Sequence, residues 1–208
     1  MEKTTRTFQS SLTIREGESA NIVEGVPIVF NAETVIGGMF REKISPDAIS
    51  EDVLKDVRLL VNHNPQELPL ARSRNNNQNS TMHLWKEDDG VHMRATLDVE
   101  NPRARELLSA VRRGDIDGMS FAFCVDGERW DDLDADLPLR TITSISYLPE
   151  VSAVMEPAYG QTSINARALD SELASLESAK QALDNVRKIE ELRKEIQERS
   201  EKLCSKND

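Results

Sequence analysis

Three short stretches of the chain concentrate side chains that can do chemistry. In Leu59-Leu60-Val61-Asn62-His63-Asn64 an apolar run ends in a histidine, with Pro65 next. In Arg113-Gly114-Asp115-Ile116-Asp117-Gly118-Met119-Ser120-Phe121-Ala122-Phe123 a serine stands between apolar residues just after a glycine. In Tyr147-Leu148-Pro149-Glu150-Val151-Ser152-Ala153-Val154 a lone carboxylate is set in an apolar run. Serine, histidine and a carboxylate are the parts of a nucleophilic relay, in which the imidazole takes the hydroxyl proton and the acid orients the imidazole. Each residue also has an ordinary structural use: the histidine in packing, the serine at a strand edge, and Glu150 as the partner of an arginine such as Arg140. Spacing along the chain does not choose between these uses.

The elements that must position these residues are mostly strands. Up to about residue 167 the apolar residues form short runs rich in β-branched and aromatic side chains: Phe8 to Ile14, Ile22 to Phe30, Val57 to Val61, Met82 to Trp85, Val91 to Val99, Met119 to Val125, Ile142 to Tyr147 and Val151 to Met155. Turn signals separate them at Glu16-Gly17-Glu18, Gly37-Gly38, Asn75 to Ser80 and Asp88-Asp89-Gly90. Such a pattern predicts a barrel or sandwich with some helix added. One helix is expected to start at Ser45-Pro46 and run through Ile49, Val53 and Leu54, because serine can cap free amides and proline fits the first helical position. A second is expected from Asn101-Pro102 through Leu107, Leu108 and Val111 to a stop at Gly114.

After Arg167 the pattern changes. Leu169, Leu173, Leu176, Leu183, Val186, Ile189, Ile196 and Leu203 recur at spacings near those of a coiled coil, with no Gly or Pro between them and charged residues on the other faces. A helix of about 36 residues reaches roughly 54 Å, longer than a compact domain needs. The expected division is therefore a β-rich domain over residues 1–167 and a helical, coiled-coil-like arm over 168–208, which can self-associate or bind a partner helix.

Composition narrows the functions. The 208 residues carry 37 acidic and 26 basic side chains, a net charge of −11, of which the arm holds ten acidic and eight basic. So negative a surface argues against binding nucleic acid by neutralising phosphates. No apolar run is long enough to cross a bilayer, so no membrane partner is expected. The first residues lack the apolar middle of a secretory signal, and Cys124 and Cys204 are read as reduced thiols. Few Cys and His and no paired spacing argue against a structural zinc site. Asp126 to Asp136 holds six acidic residues, with Asp132, Asp134 and Asp136 alternating as in a calcium loop. The required glycine is missing, and Thr143 stands where the bidentate glutamate belongs, so this segment is read as a solvated insertion. Structural roles are expected for His83 and His92, and no metal or cofactor is called for.

Several motifs in order resemble the tailed-phage prohead protease family, capsid maturation proteases related to herpesvirus assemblin. The likeness runs from about Ile22 to Arg167. It includes Glu24-Gly25 leading to Phe30, and Phe40-Arg41-Glu42-Lys43-Ile44-Ser45-Pro46-Asp47-Ala48-Ile49, similar to the family's F-x-E-x-I-x-P-G-A-F stretch. Asp56 to His63 follows, then Leu70-Ala71-Arg72 where the family usually has Leu-Gly-Arg, the Arg113 to Phe123 and Leu148 to Val154 segments quoted above, and Pro157-Ala158-Tyr159.

The resemblance implies a small, closed, largely antiparallel β-barrel with surrounding helices. It implies Ser120 as the nucleophile of a serine endopeptidase, His63 as the general base that then protonates the leaving amine, and Glu150 as the orienting acid. Asp115, Asp117 and Glu156 are nearby alternatives for the acid. Arg72 is a candidate for substrate or structural pairing. The implied substrates are a scaffold protein or the scaffold-like segment of the major capsid protein, and the chain itself, processed inside a procapsid in the cytoplasm of a bacterial host. The alternative is a scaffolding or assembly protein, inactive or self-cleaved, that works through its helical arm.

Overall fold

A computed structural model of the chain describes residues 3–8, 12–14, 21–155 and 166–204. The elements in order are β1 (Thr4–Phe8), β2 (Leu12–Ile14), β3 (Ile22–Val29), β4 (Thr34–Ile36), β5 (Phe40–Ile44), β6 (Arg58–Val61), β7 (Ala71–Arg72), β8 (Met82–Lys86), β9 (Gly90–Thr96), α1 (Pro102–Arg113), β10 (Gly118–Asp131), β11 (Leu139–Val154) and α2 (Ala166–Cys204). The chain divides into two compact units, Met1–Ala168 and Leu169–Asp208.

The first unit is a sheet-rich α+β body. One sheet has the order β1-β10-β11-β5-β4, with β6 also paired to β11 and β7 to β6. The other has the order β2-β3-β9-β8. Both contribute to one apolar core, Phe121, Phe123 and Val151 from the first meeting Val23, Ile28 and Met93 from the second. The closed antiparallel barrel implied by the resemblance is not what the pairing gives. Among the described residues the ladders form two sheets without closing a ring, and β11 runs parallel to both β5 and β6.

Local sequence accounts for much of this. Alternation in Phe40-Arg41-Glu42-Lys43-Ile44 buries Phe40, Glu42 and Ile44 on one face of β5. In α1 the Asn101 side chain accepts from the Arg103 amide, Pro102 sits in the first turn, and Gly114 takes the left-handed conformation, φ 76°, that ends the helix. Leu107, Leu108 and Val111 form its buried face.

Three further expectations needed correction. The Ser45–Leu54 stretch is not one helix but two short 3-10 turns, Pro46–Ala48 and Glu51–Leu54, because the buried Ile49 between them is extended at φ −116°, ψ 114°. The runs on either side of Pro149 are one strand. Proline has no amide to give a ladder, but the β10–β11 register is irregular between Ala122 and Cys124, opposite Pro149, so none is demanded there. The acidic stretch is not a free insertion: its first part continues β10 to Asp131, paired with β11 as far as Leu139. There Trp130 packs edge-on against Phe40 with ring centroids 5.1 Å apart, and Glu128 accepts from Arg140 Nε at 2.7 Å.

The second unit is helical. Val186, Ile189, Leu192 and Ile196 of α2 are all at least half exposed. No helix among the described residues is long and apolar enough to cross a membrane.

Candidate active site

His63 stands at the end of β6, in a turn that the backbone does not adopt freely. Asn62 and His63 both have positive φ, 50° and 55°, which costs a residue with a side chain on the order of 1 kcal/mol. The turn is held by the Asn62 amide donating to Ala153 O at 2.9 Å and the His63 amide donating to Ser152 Oγ at 3.2 Å. The imidazole is thereby turned back over the sheet, with a quarter of the side chain exposed.

Ser120 and Glu150 lie on the two long strands beneath it. In the ladder Ser120 faces Ser152 and Ala122 faces Glu150, so the antiparallel pairing of β10 with β11 sets serine and glutamate near each other. The parallel pairing of β11 with β6, Glu150 opposite Arg58 and Ala153 opposite Val61, brings in the end of β6. The result is a continuous chain of short contacts. His63 Nδ1 is 2.7 Å from Glu150 Oε1, and His63 Nε2 is 2.6 Å from Ser120 Oγ.

The rest of the environment fixes the tautomer. Glu150 is 1% exposed and accepts from the Ser152 hydroxyl at 2.7 Å through its other oxygen. A buried carboxylate beside Nδ1 requires the proton on Nδ1, which leaves the Nε2 lone pair toward Ser120. The arrangement can therefore take a proton from a serine hydroxyl and hold the resulting imidazolium. The Ser120 hydroxyl has a second acceptor in reach, the Arg6 carbonyl oxygen at 2.8 Å. Beside the histidine lies a cleft of about 340 Å³, with Val61, Asn62, Asn64, Leu107, Ala110 and Met155 among its walls.

The structure thus brings His63, Ser120 and Glu150 together, and it is Glu150, not Asp115 or Asp117, that meets His63 Nδ1. Asp115 is exposed and paired with Arg113 Nε at 2.7 Å, and the Asp117 side chain is exposed. Glu156 lies outside the described residues, as does Pro157-Ala158-Tyr159. Arg140 does not pair with Glu150; it bonds Glu42 and Glu128. Arg72 forms a two-pronged pair with Asp56 at 2.5 and 2.7 Å, and that hydrogen bonding holds the Asp56 carboxyl below the usual aspartate range. Ala71, at the place of the family's glycine, is buried in β7.

Two participants were missed by sequence reasoning. Ser152 bonds both the His63 backbone and the Glu150 carboxylate; its position two residues from Glu150, on the same strand face, was the available signal. Arg6 supplies the second acceptor for Ser120 from 114 residues away, and nothing local announces it.

Elsewhere, His92 bonds Asp89 at 2.7 Å and stacks on Trp85 at 5.7 Å between ring centroids, while His83 is exposed. Glu87, Asp89 and His92 form the one group of three His, Cys, Asp or Glu residues, among those described, whose ligand atoms all lie within 4.8 Å of one another. Both carboxylates are exposed, and His92 is already bonded to one of them.

The family described as caudovirus prohead serine protease matches residues 9–177. The prohead protease of Enterobacteria phage HK97 is 28% identical over 145 residues, which are 70% of this chain and 59% of that relative. The solved structure of the bacteriophage T4 capsid assembly protease aligns over 75% of this chain and 98% of that one, at 14% identity and a TM-score of 0.47. With the match extending over most of its length, the chain belongs to the caudovirus prohead serine protease family.

Proposed function

We propose that the protein is a serine endopeptidase that matures phage procapsids, with Ser120 as nucleophile, His63 as general base and acid, and Glu150 as the residue that orients His63. The observation that carries this reading is the unbroken Glu150–His63–Ser120 contact chain, with both contacts under 3 Å. In the first half-reaction the Ser120 oxygen attacks a peptide carbonyl carbon while Nε2 takes the hydroxyl proton. That proton then passes to the leaving amine as the peptide C–N bond breaks, leaving an ester on Ser120. Water, deprotonated by the same nitrogen, releases the acid in the second half-reaction. Ser152 acts as a positioning residue, since it touches His63 and Glu150 but no reacting atom.

The substrates in this reading are the capsid protein, a scaffold protein and the chain itself, and the place of action is the procapsid interior. The first unit, with two sheets around one core, is the catalytic domain. The arm recruits it through a coiled coil or by docking with helical capsid or scaffold segments, supported by the exposed apolar residues of α2.

The test is co-expression of the full chain with the capsid protein of the same phage, wild type against His63→Ala. Capsid processing should be lost in the variant; retained cleavage at the same site overturns the assignment. In the same assay Ser152→Ala is expected to lower kcat roughly tenfold with KM nearly unchanged, because a loosened Glu150 and His63 affect the chemical step more than binding. Ser152→Thr, which keeps the hydroxyl, should recover most of that loss.

A further inference from the structure

β1 lies along the outer edge of β10 and covers the site. Its ladder sets Thr7 opposite Ser120 and Arg6 opposite Phe121, and Ser120 beside it has no exposed surface. An enzyme whose nucleophile is sealed under its own backbone cannot receive a peptide there, so this strand stands where a substrate must come.

The contacts at this place are those of an occupant. The Ser120 hydroxyl has one proton and at least two acceptors, His63 Nε2 at 2.6 Å and the Arg6 carbonyl oxygen at 2.8 Å. A proton directed to the carbonyl is withheld from the imidazole. Arg6 itself is latched: Nε and Nη2 grip the two oxygens of Glu42 at 2.6 and 3.1 Å, with both side chains almost completely buried. Glu42 also accepts from Arg140 Nη1 at 2.8 Å, so it keeps a partner when Arg6 leaves. Lys3, just before β1, places its ammonium 3.8 Å from Glu150 Oε1.

We infer that β1 is a built-in, displaceable occupant of the substrate groove, and that the groove takes an extended peptide paired with β10 whose basic side chain is read by Glu42. This rests on Ser120 being the nucleophile. Peptides commonly add to a sheet edge in this way, backbone pairing giving affinity and one pocket giving selectivity. The residue at the place of Arg6 would present its carbonyl to Ser120, so the preferred peptide carries arginine or lysine there. With β1 in place the enzyme is held back; when the strand is displaced, the hydroxyl proton is free to go to His63.

The test is the rate at which a small fluorophosphonate labels Ser120 in the full chain, read by mass spectrometry. Arg6→Ala and Arg6→Glu, the second placing a carboxylate against Glu42, should label at least about tenfold faster than wild type, the factor that goes with losing one charge-assisted pair. Arg6→Lys should stay near wild type. A peptide of residues 3–8 added to Arg6→Ala should slow labelling, and the same peptide with alanine for its arginine should not. Equal rates in wild type and both latch variants overturn the inference while leaving the nucleophile intact. Equal protection by the two peptides removes the basic-side-chain preference. Loss of cooperative melting in both variants makes β1 a structural strand and overturns its displaceability. No labelling in any variant overturns the nucleophile reading, and this inference with it.

Discussion

Replacing Ser120 by alanine is expected to reduce peptide-bond cleavage by a factor on the order of 10⁴–10⁶, leaving only whatever binding and electrostatic stabilisation contribute. The substitution removes one oxygen from a fully buried position between β1 and β11. It deletes the atom that would form the ester and leaves the rest of the relay in place, since His63 is still bonded to Glu150 at 2.7 Å. The structural cost is small by comparison. The Arg6 carbonyl loses its contact with the Ser120 hydroxyl, worth about 1–3 kcal/mol if nothing replaces it. Activity and stability should therefore separate. Cleavage of a co-expressed capsid protein, followed on a gel, should vanish while the thermal unfolding curve shifts by only a few degrees. A variant that still cuts would place the nucleophile elsewhere.

Glu150→Gln should be nearly as damaging, by a factor on the order of 10⁴, for a different reason. The amide is close to isosteric and carries no charge, so packing around this 1%-exposed side chain is largely kept. What changes is the proton on His63. A carboxylate at Nδ1 can only accept, which fixes that proton and leaves Nε2 basic toward Ser120. An amide can turn its NH₂ toward Nδ1 and move the ring proton to Nε2, where it faces the hydroxyl it should deprotonate. It also offers no negative charge to the imidazolium formed on the way to the ester. Steady-state kinetics should show the loss in kcat with little change in KM. Asp115→Asn and Asp117→Asn, both exposed, should stay within about twofold of wild type. A large loss in either, with Glu150→Gln active, would reassign the acid.

The parts of this site that could be read from sequence are those marked by local chemistry. Asn101-Pro102 and Gly114 announce α1 because capping and left-handed backbone depend on a few adjacent residues. The three stretches around His63, Ser120 and Glu150 stand out as polar residues in apolar runs. Illegible features depend on pairing across long distances. Pro149 looks like a strand break until the irregular register opposite it is known. The acidic residues from Asp126 look solvated until β11 returns beside them and Arg140 meets Glu128. Ser45-Pro46 has the start of a helix, but burial of Ile49 in the core takes an extended backbone there and splits the segment in two. Arg6 is the extreme case: a basic residue in a polar segment, whose relation to Ser120 and Glu42 exists only once β1 has paired with β10.

The central claim is that Ser120 is a nucleophile made reactive by His63. Digestion after arginine yields the fragment from Gly114 to Arg129, in which Ser120 is the only serine. Treating the native protein with a fluorophosphonate and weighing this fragment therefore reads that one hydroxyl. The Gly114–Arg129 fragment of the wild-type chain should gain the adduct at the slow rate that β1 permits, while the adduct should be absent from Ser120→Ala and form far more slowly still in His63→Ala. An adduct on a different serine, or equal labelling of Ser120 with and without His63, would contradict it.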